Sequence, residues 1–200
     1  SKWRALVSAQ NATYKQIVKI GMVAKYLDNE DTYISVLEAL KAAAWQEKVG
    51  LEVVWINAEE CDTPDFEQVD ALVVPGGFGS RGIEGKVKAA TYALDHKMPY
   101  LGLCLGLQIA VIAAARKAGL ANANSTEFDP TTKQNVVYIM QGQAGKESTG
   151  GTLRLGDYTA ELTAGSRVAK AYGSSESVER HRHRYEANVN YLDKLREAGL

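Results

Sequence analysis

Cysteine is nearly missing from this chain: Cys61 and Cys104 are the only two among 200 residues, too few for a disulfide-stapled scaffold. Long apolar spans are missing as well, and the opening "SKWRALVSAQNATYKQ" lacks the basic-then-apolar order of a secretion signal. Together these gaps predict free thiols, a reducing cytoplasmic setting and no membrane contact. Charge of one sign is not in excess: 23 Lys and Arg stand against 24 Asp and Glu, so nothing electrostatic points to nucleic acid or acidic lipid as a partner. No fixed-period repeat or low-complexity tract occurs. Histidine is scarce too, with only His96, His181 and His183, and that limits the acid–base chemistry available.

What is present, 46% apolar and 24% charged residues, is ordinary for a globular domain with one sizeable core, and small-molecule work is the better prior. Residues 1–16 read as a linker-like or short packing segment with Trp3 docking locally, and residues 17–200 as the domain. "IVKIGMVAKY" reads as a buried strand, and Asp31 offers a cap before the helical spacing of Ile34, Leu37, Leu40 and Ala44. "LEVVWINA" and "ALVVPGG" are further strands, "IEGKVKAATYALDHK" a helix, "MPYLGLC" a strand, and "LGLQIAVIAAARKAGL" a helix capped by Gly119. This alternation predicts an α/β fold: a mostly parallel central sheet with helices on both faces. After Asn122 the segments "VVYIM", "TLRLG", "YTAEL" and "AKAYG" are short and separated by Gly, Ser and Thr, which predicts added antiparallel or edge strands in the C-terminal part. "QGQAGKESTGG" reads as a mobile loop and "YLDKLREAGL" as helical.

Gly102-Leu103-Cys104-Leu105-Gly106 places a thiol at a strand-to-helix junction in the G-x-C-x-G spacing of a nucleophile elbow. The glycines allow strand and helix to approach closely, and a helix N-terminus is expected to favour the attacking thiolate. A lone cysteine is more often a small core residue, but the elbow context reverses that prior. "VVPGGFGSRGIEG" puts a glycine turn at a strand's carboxyl end, where backbone N–H groups of Gly77 and Leu105 are candidates to converge on an oxyanion. The turn does not fit G-x-x-x-x-G-K-[ST], so nucleotide binding there is disfavoured. His181 and His183 lie at strand spacing, yet two ligands do not make a zinc site, and no metal is expected.

"VPGGFGSRGIEGK", "PYLGLCLGLQIAVI", "NANSTEFDP", "GGTLRLGDY" and "ERHRHRYEANVNY", in this order, resemble the glutaminase domains of the CTP synthases, which are class I glutamine amidotransferases. "ANSTEFDP" argues against a stress-type cysteine hydrolase with a similar elbow. The resemblance implies hydrolysis of L-glutamine to glutamate and ammonia through a cysteine thioester. The ammonia would serve ATP-dependent amination of UTP in an N-terminal synthase domain of the same polypeptide. Cys104 would be the nucleophile, Gly77 and Leu105 the oxyanion hole, and Leu105, Gly106, Leu107 and Gln108 the lining of the glutamine pocket. Glu127 would hold the α-amino group and Arg184 lie at the α-carboxylate; alone, each would read as a solvated charge. The resemblance implies no cofactor here, with ATP, Mg and UTP confined to the synthase domain, and a homo-oligomer for the full-length enzyme. It also supplies its general base from a late His-Pro-Glu motif that these 200 residues do not contain, so on their own they are expected to show negligible glutamine turnover. The competing expectation is a catalytically incomplete module that binds glutamine or contacts a partner domain.

Overall fold

The computed structural model describes residues 2–140 and 154–200, and the expected loop "QGQAGKESTGG" falls outside them. Two compact units are present, one of residues 1–137 and 187–200, the other of residues 138–186.

The first unit is built on four parallel strands: β1 (Ile17–Ala24), β2 (Gly50–Asn57), β3 (Ala71–Val74) and β4 (Tyr100–Gly102), in the order β2-β1-β3-β4. Alternate residues of these strands supply two cores. Val23, Ile56, Leu72 and Val74 pack with Phe66, Ala89 and Ala93 on one face; Met22, Ala24 and Val73 pack with Tyr33, Val36, Leu37 and Leu40 on the other. Burial of both faces explains why the strands read as nearly continuous apolar runs. The helices α1 (Lys2–Gln10), α2 (Ile34–Glu47), α3 (Thr63–Glu67), α4 (Ile83–His96) and α5 (Leu105–Lys117) alternate with the strands. A two-pronged ion pair from Arg116 to Glu84, at 2.7 and 3.0 Å, links α5 to α4 and holds the Glu84 carboxyl below its usual range. The end of α5 is closed as expected: Gly119, at φ +89°, sits past the last turn, and the Gly119 and Leu120 N–H groups donate to Arg116 and Ala115 carbonyls.

Several local expectations change. Asn29, not Asp31, caps the 3-10 turn Glu30–Tyr33 that leads into α2; its side chain accepts from the Asp31 N–H at 3.1 Å. The first sixteen residues include α1, which buries none of its side chains, and Trp3 is 71% exposed rather than docked. The short helix α3 went unrecognised, although Asp62 and Asp65 form a capping box around it with Pro64 in its first turn.

The short strand β5 (Asn124–Ser125) pairs with β6 (Asn135–Ile139) in parallel. In the second unit "TLRLG" and "YTAEL" are not two strands: β7 (Arg154–Glu161) runs through most of both and pairs antiparallel with β8 (Glu176–His183). "AKAYG" is no strand at all. It lies in α6 (Arg167–Tyr172), because Ser166 accepts from the Ala169 N–H at 3.1 Å and Gly173 ends the turn at φ +65°. The strand β9 (Tyr185–Ala187) returns the chain to the first unit, where α7 (Leu192–Glu197) buries Leu195. No helix among the described residues is long and apolar enough to cross a membrane.

Candidate active site

Lys25, the Pro75–Arg81 loop and Cys104 all follow directly on strands β1, β3 and β4, so they gather at the carboxyl edge of the parallel sheet. The order β2-β1-β3-β4 puts its topological switch point between β1 and β3, the position where open α/β sheets hold ligands.

The bend at Cys104 is forced by close packing. A Cβ on Gly106 would lie 1.9 Å from the Val74 carbonyl oxygen, and one on Gly102 would lie 2.4 Å from the Gly106 carbonyl. Only glycine lets β3, β4 and the first turn of α5 come this near. The Leu103 N–H donates to the Val74 carbonyl at 3.0 Å, and the Tyr100 hydroxyl donates to the Gly106 carbonyl at 2.8 Å. Burial raises the Tyr100 phenol well above its ordinary pKa, which keeps it a donor. Between these clamps Cys104 takes φ +53° and ψ −106°. Lys48 and Lys97 also have positive φ, but as ordinary left-handed helix ends with ψ of 44° and 31°. Cys104 lies outside that well, at a backbone cost of about 1–3 kcal/mol.

Cys104 is exposed, and a Cβ placed on Gly76 would sit 3.9 Å from its Sγ. The sequence singled out Gly77; the structure adds Gly76 as a close loop neighbour of the thiol. Gly77 lies against the Leu105 side chain, which is buried. Gly106 and Gln108 are buried in the same turn and Leu107 is exposed. Glu127 is half-buried, and its carboxylate accepts from the Gly79 N–H at 3.4 Å, so it belongs to the loop's surroundings rather than to open solvent. Arg184 lies in the second unit, where its carbonyl accepts from the Met140 N–H at 3.0 Å.

One expectation is overturned. The thiol pKa is raised, not lowered: protein crowded around it disfavours the thiolate most, the Glu127 carboxylate adds to this, and the Leu105 N–H opposes both without winning. The helix terminus therefore does not activate the resting thiol by itself. Alkylation of Cys104 by iodoacetamide should show a pH midpoint above the ordinary thiol value of about 8.5. Glu127→Gln removes a repelling charge and should move that midpoint down; mass-resolved alkylation rates across pH check both, and a midpoint below the ordinary value would refute the electrostatic account.

His96 does not complete the site. His96 ends α4, stacked on Tyr92 at 3.9 Å, about 20 Å of helix away from the carboxyl edge where α4 begins. His181 and His183 sit on β8 with ring centroids 5.1 Å apart, and no group of three or more metal-ligating side chains occurs among the described residues.

Sequence reasoning missed two lysines. Lys25, 5% exposed, donates through Nζ to the Phe78 carbonyl and, at 3.4 and 3.3 Å, to those of Gly79 and Arg81. Arg81 returns a bond to the Lys25 carbonyl at 3.3 Å and pairs with Glu59 at 2.8 Å. Lys86 is fully buried under the same loop. A signal existed for it: with Ile83, Val87 and Ala90 it falls on the helical stripe that must face the core.

The family model for class I glutamine amidotransferases matches residues 28–198. The chain belongs to that family. Among the chain's relatives, CTP synthase of Corynebacterium efficiens is 50% identical over 96% of this chain and 36% of its own. CTP synthase of Thermus thermophilus is 50% identical over 93% of this chain and 35% of its own. The chain thus spans about a third of the length of the CTP synthases it matches. The solved glutaminase domain of Trypanosoma brucei CTPS with bound acivicin superposes with a TM-score of 0.81 at 38% identity, covering 91% of this chain and 72% of that one. The parallel sheet with flanking helices and the added C-terminal strands agree with that domain's fold.

Proposed function

We propose that this chain is the glutamine-hydrolysing part of a CTP synthase and that Cys104 carries the reaction. The thiolate sulfur adds to the side-chain carboxamide carbon of L-glutamine, and the carbonyl oxygen takes the negative charge. The C–N bond then breaks, the nitrogen leaves as ammonia with an added proton, and water hydrolyses the resulting thioester to glutamate. Gly77 and Leu105 N–H groups are the proposed donors to the oxyanion. Glu127 is the proposed acceptor for the substrate's ammonium and Arg184 the donor to its carboxylate. In the longer polypeptide the ammonia would aminate UTP at the expense of ATP.

The observation that carries the reading is the strained, exposed Cys104 beside a glycine loop at the sheet's switch point. A plain core cysteine would have no reason to hold φ +53° with ψ −106°. The raised thiol pKa means that a base must take the proton, a role the family gives to the histidine of His-Pro-Glu.

The second thiol is the internal control. Cys61 is buried, and burial raises its pKa. A chloroketone or diazoketone analogue of glutamine should label Cys104 at least about tenfold faster than Cys61, with free L-glutamine protecting. Peptide mass mapping reads the ratio, and equal labelling without protection would refute the proposed pocket.

A further inference from the structure

We propose that Lys86 is a positioning residue of the glutamine reaction: from beneath the Pro75–Gly76 peptide it sets the backbone amides of the glycine loop that face the oxyanion. The inference rests on the glutaminase reading of Cys104.

Lys86 is 0% exposed, and its Nζ donates to the Pro75 carbonyl at 3.3 Å. A methionine would fill the same apolar stripe without burying an ammonium, so the hydrogen bond is what lysine adds. No peptide bond is cis among the described residues, and in a trans peptide the C=O and the following N–H point in opposite directions. Fixing the Pro75 carbonyl on Lys86 therefore turns the Gly76 N–H away from α4, and the setting of the Gly77 amide follows from the plane of that peptide. Lys25 makes the parallel arrangement one turn on. It holds the Phe78 carbonyl inward, and the Gly79 N–H on the other side of that peptide meets Glu127. Two buried cations thus gather carbonyls of Pro75, Phe78, Gly79 and Arg81 on the inner side of one loop.

Electrostatics agrees with this placement. Burial first, and the Lys25 charge second, bring the Lys86 pKa down to about 8, so at neutral pH the amine still carries its proton under the loop. A positive charge there favours a transition state in which a neutral carboxamide becomes an oxyanion, more than it favours the bound ground state.

The test is Lys86→Met in the longer polypeptide that includes the His-Pro-Glu segment. Expected is a kcat for glutamine hydrolysis lower by about tenfold to a hundredfold, with KM within about twofold, because misplacing reacting groups by about 1 Å costs on that order. Affinity for an aldehyde analogue of glutamine, which adds the thiol and forms an oxyanion, should fall by the same factor. Alkylation of Cys104 by iodoacetamide displaces iodide at a CH2 and forms no oxyanion, so its rate should not change. Lys86→Gln keeps an N–H donor and should retain more turnover than the Met variant; it also stands in if the Met variant fails to fold. Unchanged kcat, equal losses in turnover and alkylation, or a Gln variant as poor as Met would overturn the role of Lys86 while leaving Cys104 in place. Absence of glutamine hydrolysis by the unmutated longer polypeptide, His-Pro-Glu segment included, would overturn both together.

Discussion

Cys104→Gly is expected to abolish glutamine hydrolysis by the longer polypeptide that includes the His-Pro-Glu segment, a loss of about 10⁴-fold or more, and at the same time to make the protein harder to melt. The activity loss follows from removing the only proposed nucleophile; losses of this size are usual when a covalent catalyst is deleted. The stability gain follows from the backbone. Cys104 holds φ +53° and ψ −106°, a region open to glycine and costly, by about 1–3 kcal/mol, for a residue with a Cβ. Glycine gives back about 0.5–1 kcal/mol through the extra freedom of the unfolded chain, so the net gain is about 1 kcal/mol, or roughly 2–4 °C in melting temperature for a chain of this size. Cys104→Ser removes the thiol and keeps the strain, so it should lose activity without the gain. Calorimetry of both variants beside a coupled glutamate assay decides the matter. A glycine variant that melts below the serine variant would show that the turn is not strained, and full activity in either would remove Cys104 from the mechanism.

The same residue shows how far the sequence could be read. Gly102 and Gly106 flanking a cysteine announced the elbow because nothing bulkier fits, and the distances to Val74 and Gly106 backbone atoms state that in ångströms. The first four strands were legible for a related reason: burial on both faces leaves no polar alternation, so each appears as an unbroken apolar word bounded by turns. The second unit was less legible. "AKAYG" has no more apolar content than an edge strand, and its helix is decided by Ser166 before it and Gly173 after it, outside the five residues that were read. The thiol's acidity was misjudged because a helix terminus is visible in a sequence, whereas crowding and the approach of Glu127 across the fold are not. Lys25 and Lys86 were missed because a lysine is assumed to face solvent, and only the tertiary structure shows loop carbonyls waiting to receive it.

Gly106→Ala should be strongly destabilising for a change of one methyl group, costing more than about 3 kcal/mol and lowering the melting temperature by more than about 6 °C. Two effects compete, and their sizes settle the sign. Gly106 lies in the first turn of α5, where alanine's helix propensity is worth up to about 1 kcal/mol in favour of the substitution. Against it, the new Cβ would stand 1.9 Å from the Val74 carbonyl oxygen and 2.9 Å from its carbon. Both are backbone atoms of β3, a strand hydrogen-bonded on both sides, so neither can rotate out of the way as a side-chain tip would. Relief requires α5 to back away from the sheet. That movement would carry off Cys104, the Leu105 N–H and the Tyr100 hydrogen bond to the Gly106 carbonyl, so the surviving folded protein should also lose affinity for an aldehyde analogue of glutamine. Gly119→Ala provides the contrast. Gly119 has φ +89° but no atom within 4 Å of its would-be Cβ, so its cost is confined to local strain of about 1 kcal/mol and should leave the site untouched. If Gly106→Ala melts with the unmutated protein, the close approach of β3 to α5 is wrong, and with it the geometry that lifts the thiol above the sheet.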